Sequence, residues 1–245
     1  NILVSVIILL GTVEFINISK KATAEISVKL LFVSQILLII ITNVVCILNP
    51  NYHILIFIVS YLYIIPFVII AMIIEVFKKG SNPLLNISST IFGFIWIGLF
   101  LNSLICLRYL AGPGLTLSII SSIWVCDTFA FYFGKTFGKT KIMPDISPNK
   151  TWVGSLAGLF GALLFLVSLS YFKLIDISLL QSILIGVITG GISQFGDFFE
   201  SSLKRSVSLK DTSNILRGHG GILDRFDSLA ISSSLILIII LIINI

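Results

Sequence analysis

The sequence predicts an all-α polytopic membrane protein with about eight transmembrane helices, and three observations carry that reading. Of its 245 residues, 57% are hydrophobic and only 11% charged, less than half the roughly 25% charge of a soluble domain. The mean hydropathy is +1.12. The apolar residues also gather into runs of about 20, the length that crosses a hydrocarbon core. Such a chain has too little polar surface to cover a soluble domain, so lipid is the solvent for most of it.

Eight runs qualify as spans: 1–18, 28–48, 54–77, 89–107, 115–133, 153–172, 179–199 and 228–245. The first is the weakest, because Glu14 and Asn17 interrupt it. No basic residue precedes it, so a cleavable signal peptide is not expected. The last, rich in Leu and Ile, is the clearest. Gly154, Ala157, Gly158, Gly161 and Ala162 put small residues at near four-residue spacing on the sixth run, and Gly186 and Gly190 do so on the seventh. That spacing lets helix backbones approach closely in lipid. Cys46, Cys106 and Cys126 lie apart in apolar runs and read as core residues rather than a disulfide or metal framework.

Basic residues set the orientation. The connections after runs one, three, five and seven hold Lys20, Lys21, Lys78, Lys79, Lys135, Lys139, Lys141, Lys150, Lys204, Arg205, Lys210, Arg217 and Arg225, with Lys29 on the same side. The other connections hold Arg108 and Lys173. By the positive-inside rule the odd connections are cytosolic and both termini lie outside. The predicted location is a membrane, expected to be the bacterial cytoplasmic one.

Polar chemistry concentrates in two cytosolic stretches, 124–152 and 194–228, which hold seven of the eleven acids, two in the first and five in the second. Asp127 falls inside the fifth run, where a charge costs about 2.5–3.5 kcal/mol on insertion scales. It therefore faces either a polar cavity or a structural partner. Asp197, Glu200, Ser201 and Lys204 share one helix face if the seventh helix continues that far. Asp224 and Asp227 open the eighth. Gly220 and Gly221, after His219, read as a tight turn that brings backbone N–H groups to an anion. Carboxylates beside Lys204, Arg205, Lys210 and Arg225 suit a site where a divalent cation meets phosphates; attraction to lipid headgroups is the plainer reading of any single lysine. The run Gly134–Thr140, GKTFGKT, has three residues between its glycines where a P-loop has four, and it follows an apolar span instead of a strand. It is not a P-loop.

At these residues the chain resembles the phosphatidate cytidylyltransferase (CDP-diacylglycerol synthase) family. The resemblance rests on Ser201, Leu203, Lys204 and Arg205, then Lys210 and Asp211, then Gly218, His219, Gly220 and Gly221, then Asp224, Arg225, Phe226 and Asp227, all at the family's spacings. Gly196, Asp197 and Glu200 lie just upstream. Asp127, Gly134–Lys139, Ser147, Pro148, Lys150 and Thr151 extend the likeness, which covers residue 120 onward. Arg217 stands where the family has Pro, Phe129 where it has Gly, and Phe131 where it has Tyr.

The resemblance implies that CTP and phosphatidic acid give CDP-diacylglycerol and pyrophosphate with Mg²⁺. Asp197, Asp224 and Asp227 are then expected to hold the metal. Ser201, Lys204, Arg205, Lys210, Asp211, His219 and Arg225 complete the catalytic set. Asp127, Lys139, Ser147, Lys150, Gly220 and Gly221 join the basic residues in binding substrate. Residues 1–114 are expected to be scaffold and 115–245 to carry the site, at the cytosolic ends of the C-terminal spans. The partners implied are CTP, phosphatidic acid and bilayer lipid, and no nucleic acid. A second, monovalent cation such as K⁺ and a homodimer stay open. So do two other classes: a different CTP-using lipid enzyme, of the polyprenol or phytol kinase or CDP-archaeol synthase type, and a transporter. The signature argues against the kinases. A transporter predicts ionisable residues deep in several spans, whereas here only Glu14, Glu75 and Asp127 stand away from the cytosolic edge.

Overall fold

In lipid every backbone N–H and C=O must be paired within its own segment, so an apolar run of about 20 residues folds as a helix. A computed structural model describes residues 1–48, 58, 62–78, 82–215 and 220–243. Its helices are α1 (Ile2–Lys21), α2 (Val28–Leu48), α3 (Ile64–Lys78), α4 (Pro83–Leu110), α5 (Gly112–Phe137), α6 (Trp152–Tyr171), α7 (Leu179–Ser206) and α8 (Leu223–Ile243). Seven helices among the described residues, all but α3, are long and apolar enough to cross a membrane. The expected span 54–77 lies partly outside the described residues, and α3 is its C-terminal part.

Local chemistry sets several helix starts. Asn82 accepts the N–H of Leu85 at 3.2 Å and Pro83 follows in the first turn, opening α4. Thr151 caps α6 through the N–H of Gly154 at 3.2 Å. Ser178 and Gln181 form a reciprocal capping box on α7. Wider π-type turns interrupt α4 at Phe94–Leu99 and α7 at Ile188–Ile192.

The strongly enclosed α4 forms the centre, where Phe94, Ile97, Leu101 and Ile105 are fully buried. It packs on α8, while α5, α6 and α7 form a tight layer beside them. The small-residue spacing on α6 and α7 serves that layer. A Cβ at Gly158 would come within 2.8 Å of the Cys126 sulfur on α5, and one at Gly190 within 2.8 Å of the Leu159 backbone on α6. Hydroxyl and amide pairs pin helices together inside the apolar region, including Thr12 to Gln35 at 2.6 Å, Asn102 to Thr42 at 2.8 Å and Ser122 to Thr189 at 2.6 Å.

Contacts between connections bring the basic segments to one end of the bundle. Lys78 donates to the Glu25 backbone carbonyl, Lys150 pairs with Asp197, and Thr212 and Ser213 reach Glu14. Between α5 and α6 the chain forms a two-stranded antiparallel hairpin, β1 (Lys141–Met143) with β2 (Ser147–Thr151), pairing Lys141 with Thr151 and Met143 with Ser147. A strand pair of this size, polar and with an irregular register between Lys141 and Met143, carries too little alternation to be read from the sequence. At the same end, α7 runs on to Ser206 and α8 starts at Leu223, beyond the expected 179–199 and 228–245. These extensions are polar helix, which hydropathy alone does not register.

Candidate active site

Two polar centres share this end of the bundle. The first is a cavity of about 630 Å³ between α5, the hairpin, α6 and α7, lined among others by Asp127, Lys135, Lys141, Lys150, Gln194 and Asp197. The Lys150 ammonium pairs with Asp197 Oδ2 and sits over the Phe198 ring, 4.2 Å from its centroid. Ser201 donates to Asp197 Oδ1 at 3.3 Å. Asp127 lies within electrostatic reach of Asp197, Lys150 and Arg225. Gln194 is locked in place, accepting from Ser155 Oγ at 2.6 Å and donating to the Ser155 carbonyl at 3.0 Å. Three lysines around two carboxylates give a concave, net-positive surface suited to a polyanion.

The second centre is the connection between α7 and α8, folded around carboxylates. Asp224 Oδ2 accepts the N–H of Thr212 at 3.0 Å, the Thr212 hydroxyl at 3.0 Å and the N–H of Gly221 at 2.7 Å. Its Oδ1 takes the Lys204 ammonium at 2.5 Å, and Lys204 also stands 3.6 Å from Glu200. The side chains of Lys204 and Asp224 are 11% and 9% exposed. The buried carboxyls of Glu200 and Asp227 face each other, and Asp227 also accepts the N–H of Ser228 at 2.5 Å. Only glycine fits at 221: a Cβ there would lie 1.9 Å from the Thr212 hydroxyl and 2.7 Å from Glu14.

The structure therefore sorts the sequence-assigned residues. Asp127, Lys150 and Asp197 line the cavity, and Ser201 touches it through Asp197. Lys204, Asp224 and Gly221 build the neighbouring connection, with Asp224 spending both oxygens on protein donors. Asp227 lies between the centres, buried, within electrostatic reach of Asp197 and Lys150. Arg205 donates to the Leu209 carbonyl at 3.1 Å. Lys210, Asp211 and Arg225 are exposed beside the same connection, and Gly220 is half-buried with a left-handed φ of 78°. Lys139 is exposed just past α5, and Ser147 sits in β2. His219, Arg217 and Gly218 lie outside the described residues.

Three groups at this end were not singled out from the sequence. Lys141 counted only toward orientation, and Lys135 only there and as part of the Gly134–Lys139 likeness, yet both line the cavity. Glu14 read as an interruption of the first span, yet it is fully buried and accepts hydrogen bonds from the α7–α8 connection. The signal for it was present: an acid inside an apolar span needs a partner.

The donor set fits Mg²⁺. That ion takes one or two carboxylates and completes its shell with substrate phosphates and water. Asp197 has two protein partners for about four lone-pair sites, Asp127 stands nearby, and the Ser201 hydroxyl is in reach. Among the described residues no group of three or more acidic, His or Cys side chains is placed to hold a metal alone, so substrate phosphates and water would have to complete its shell.

The chain is 46% identical over 118 residues to the phosphatidate cytidylyltransferase of Aquifex aeolicus, covering 48% of this chain and 43% of that one. It is 41% identical over 136 residues to the Bacillus subtilis protein of that name, 55% and 51% of the two chains. It is 36% identical over 183 residues to the chloroplastic phosphatidate cytidylyltransferase 4 of Arabidopsis thaliana, 64% and 46% of the two. The matched part thus spans about half the length of these relatives. A profile described as the cytidylyltransferase family matches residues 1–243, nearly the whole chain, and the chain belongs to that family.

Proposed function

We propose that this chain transfers a cytidylyl group from CTP to phosphatidic acid, forming CDP-diacylglycerol and pyrophosphate. The observation that carries the reading is the lysine-rich cavity with Asp127 and Asp197, set at one end of apolar helices. A water-soluble triphosphate and a bilayer lipid can both reach such a place. The relatives named for this activity support it.

The chemistry needs no strong base. The lipid phosphate is already an anionic nucleophile, and one of its oxygens attacks the α-phosphorus of CTP. The bond from that phosphorus to the β-bridging oxygen breaks, and pyrophosphate leaves with the electron pair. Lys135, Lys141 and Lys150 neutralise the triphosphate and hold it for attack. Asp197 and Asp127, with the Ser201 hydroxyl, would hold Mg²⁺. Bound there, the ion offsets charge on the α-phosphate and on the departing pyrophosphate. Lys150 pairs with Asp197 and would share that carboxylate with the ion while turning its ammonium toward a phosphate. Asp224 and Lys204 keep the adjoining connection in shape, and Lys210 and Arg225 extend the positive surface for the phosphates of CTP and lipid.

The membrane is a bacterial cytoplasmic one in this reading, with the cavity facing the cytosol. Purified chain in lipid nanodiscs, given labelled CTP, phosphatidic acid and Mg²⁺, should release labelled CDP-diacylglycerol and pyrophosphate in equal amounts. Failure to form the lipid nucleotide would sink the assignment. For sidedness, Ser208→Cys in a cysteine-free background should react only with a permeant reagent in intact cells. Reaction with an impermeant one would reverse the orientation.

A further inference from the structure

We infer that Glu14, on the first helix, is a positioning residue for the nucleotide site, because its carboxylate ties the middle of the α7–α8 connection to the start of α8. The inference rests on the reading that CTP binds at this end of the bundle.

Glu14 lies two-thirds of the way along α1 and has no exposed surface. Its four hydrogen bonds all come from that connection and the first residue of α8, about 200 residues away. Oε1 accepts Ser213 Oγ at 2.6 Å and the N–H of Ile222 at 2.8 Å. Oε2 accepts Thr212 Oγ1 at 2.9 Å and the N–H of Leu223 at 2.8 Å. Each oxygen thus holds one hydroxyl from the middle of the connection and one backbone N–H from where α8 opens. Ile222 and Leu223 stand at the first turn of α8, whose opening N–H groups have no partner within the helix. Glu14 supplies it from another helix.

The approach is built for this contact. A Cβ on Gly11, one turn earlier on α1, would come within 3.0 Å of the Leu223 side chain. Thr212 gives its hydroxyl to Glu14 and to Asp224, so the two carboxylates share one linker. Between the clamped points lie Gly220 and Gly221, just before them stand Lys210 and Asp211, and just beyond them Asp224 and Arg225. A carboxylate that served only to hold α1 in the bundle would find its partners on neighbouring spans. This one finds three of its four on the connection and the fourth on the first residue of α8.

Glu14→Gln is the sharp test, because the amide keeps the size but turns one acceptor into a donor. Whichever way it flips, an NH₂ group meets the N–H of Ile222 or Leu223, and a backbone N–H cannot reverse. In nanodiscs we expect KM for CTP to rise roughly tenfold or more, with kcat changed by less than about threefold. Hydrogen exchange should accelerate at Thr212, Ser213, Ile222 and Leu223 and stay at the wild-type rate in α4 and α6. Should Glu14→Gln fail to insert, Ser213→Ala removes one donor from the other side and is read the same way, with a smaller shift. Wild-type KM and wild-type exchange in the connection would overturn the inference, and so would exchange that rises equally through every helix. If wild-type protein does not turn CTP over, the proposed reaction fails, while the exchange pattern still decides whether Glu14 holds the connection.

Discussion

Asp197 and Asp224 look alike in the sequence, each an acid of the polar stretch 194–228 with a second acid three residues on, yet their surroundings differ. The Asp197 side chain is 38% exposed, faces the cavity and meets one ammonium and one hydroxyl. The Asp224 side chain is 9% exposed and accepts four hydrogen bonds, two of them from backbone N–H groups. The same division separates Lys150, on the cavity wall, from Lys204, buried between Glu200 and Asp224. A carboxylate with spare lone pairs beside open space can take a metal or release its lysine to a phosphate. One that already accepts four protein hydrogen bonds is held more firmly where it stands. The cavity is thus expected to answer mutation in rate, and the α7–α8 connection in stability as well.

The largest expected effect falls on the cavity. Asp197→Asn should lower turnover roughly a thousandfold, about 4 kcal/mol of transition-state stabilisation, at saturating CTP and Mg²⁺. Its unfolding midpoint should stay near that of wild type. A variant that kept a tenth of the rate would remove Asp197 from the metal site.

Lys204→Met and Lys150→Met test the two lysines against each other. Loss of Lys204 leaves Asp224 and Glu200 buried without their cation, which costs about 3–5 kcal/mol. Unfolding measured in mild detergent should show it. Lys150→Met should leave the midpoint within about 1 kcal/mol, since its partner is part-exposed, while KM for CTP rises. Equal destabilisation by both would erase the distinction.

Gly221→Ala is expected to cost about 1–3 kcal/mol, because the added methyl would overlap Thr212 and crowd Glu14. The same unfolding assay reads it, and Gly114→Ala is the control, since a Cβ there meets nothing within 4 Å. The smallest effect belongs to Asp145→Asn, at the exposed turn of the hairpin. Stability should change by no more than about 0.5 kcal/mol and turnover should match wild type. A loss of rate there would extend the active surface to the hairpin tip.

Much of this molecule was legible in the chain itself. Hydropathy runs set the spans because a helix in lipid must be about 20 residues long, and α2 begins and ends where its run does. The signature from Ser201 to Asp227 named the family, since its spacings are local and survive without any fold. Small residues on α6 and α7 announced close packing, because only missing side chains permit it. Tertiary structure alone decided which polar residues share a centre. Whether an acid is open or saturated depends on donors brought from elsewhere: Lys150 comes to Asp197 across 47 residues, and Glu14 reaches Leu223 across 209. A linear pattern records residue types and spacings, whereas hydrogen-bond saturation is a property of the folded surroundings. That is why Asp197 and Asp224 could be found together in the sequence and told apart only in three dimensions.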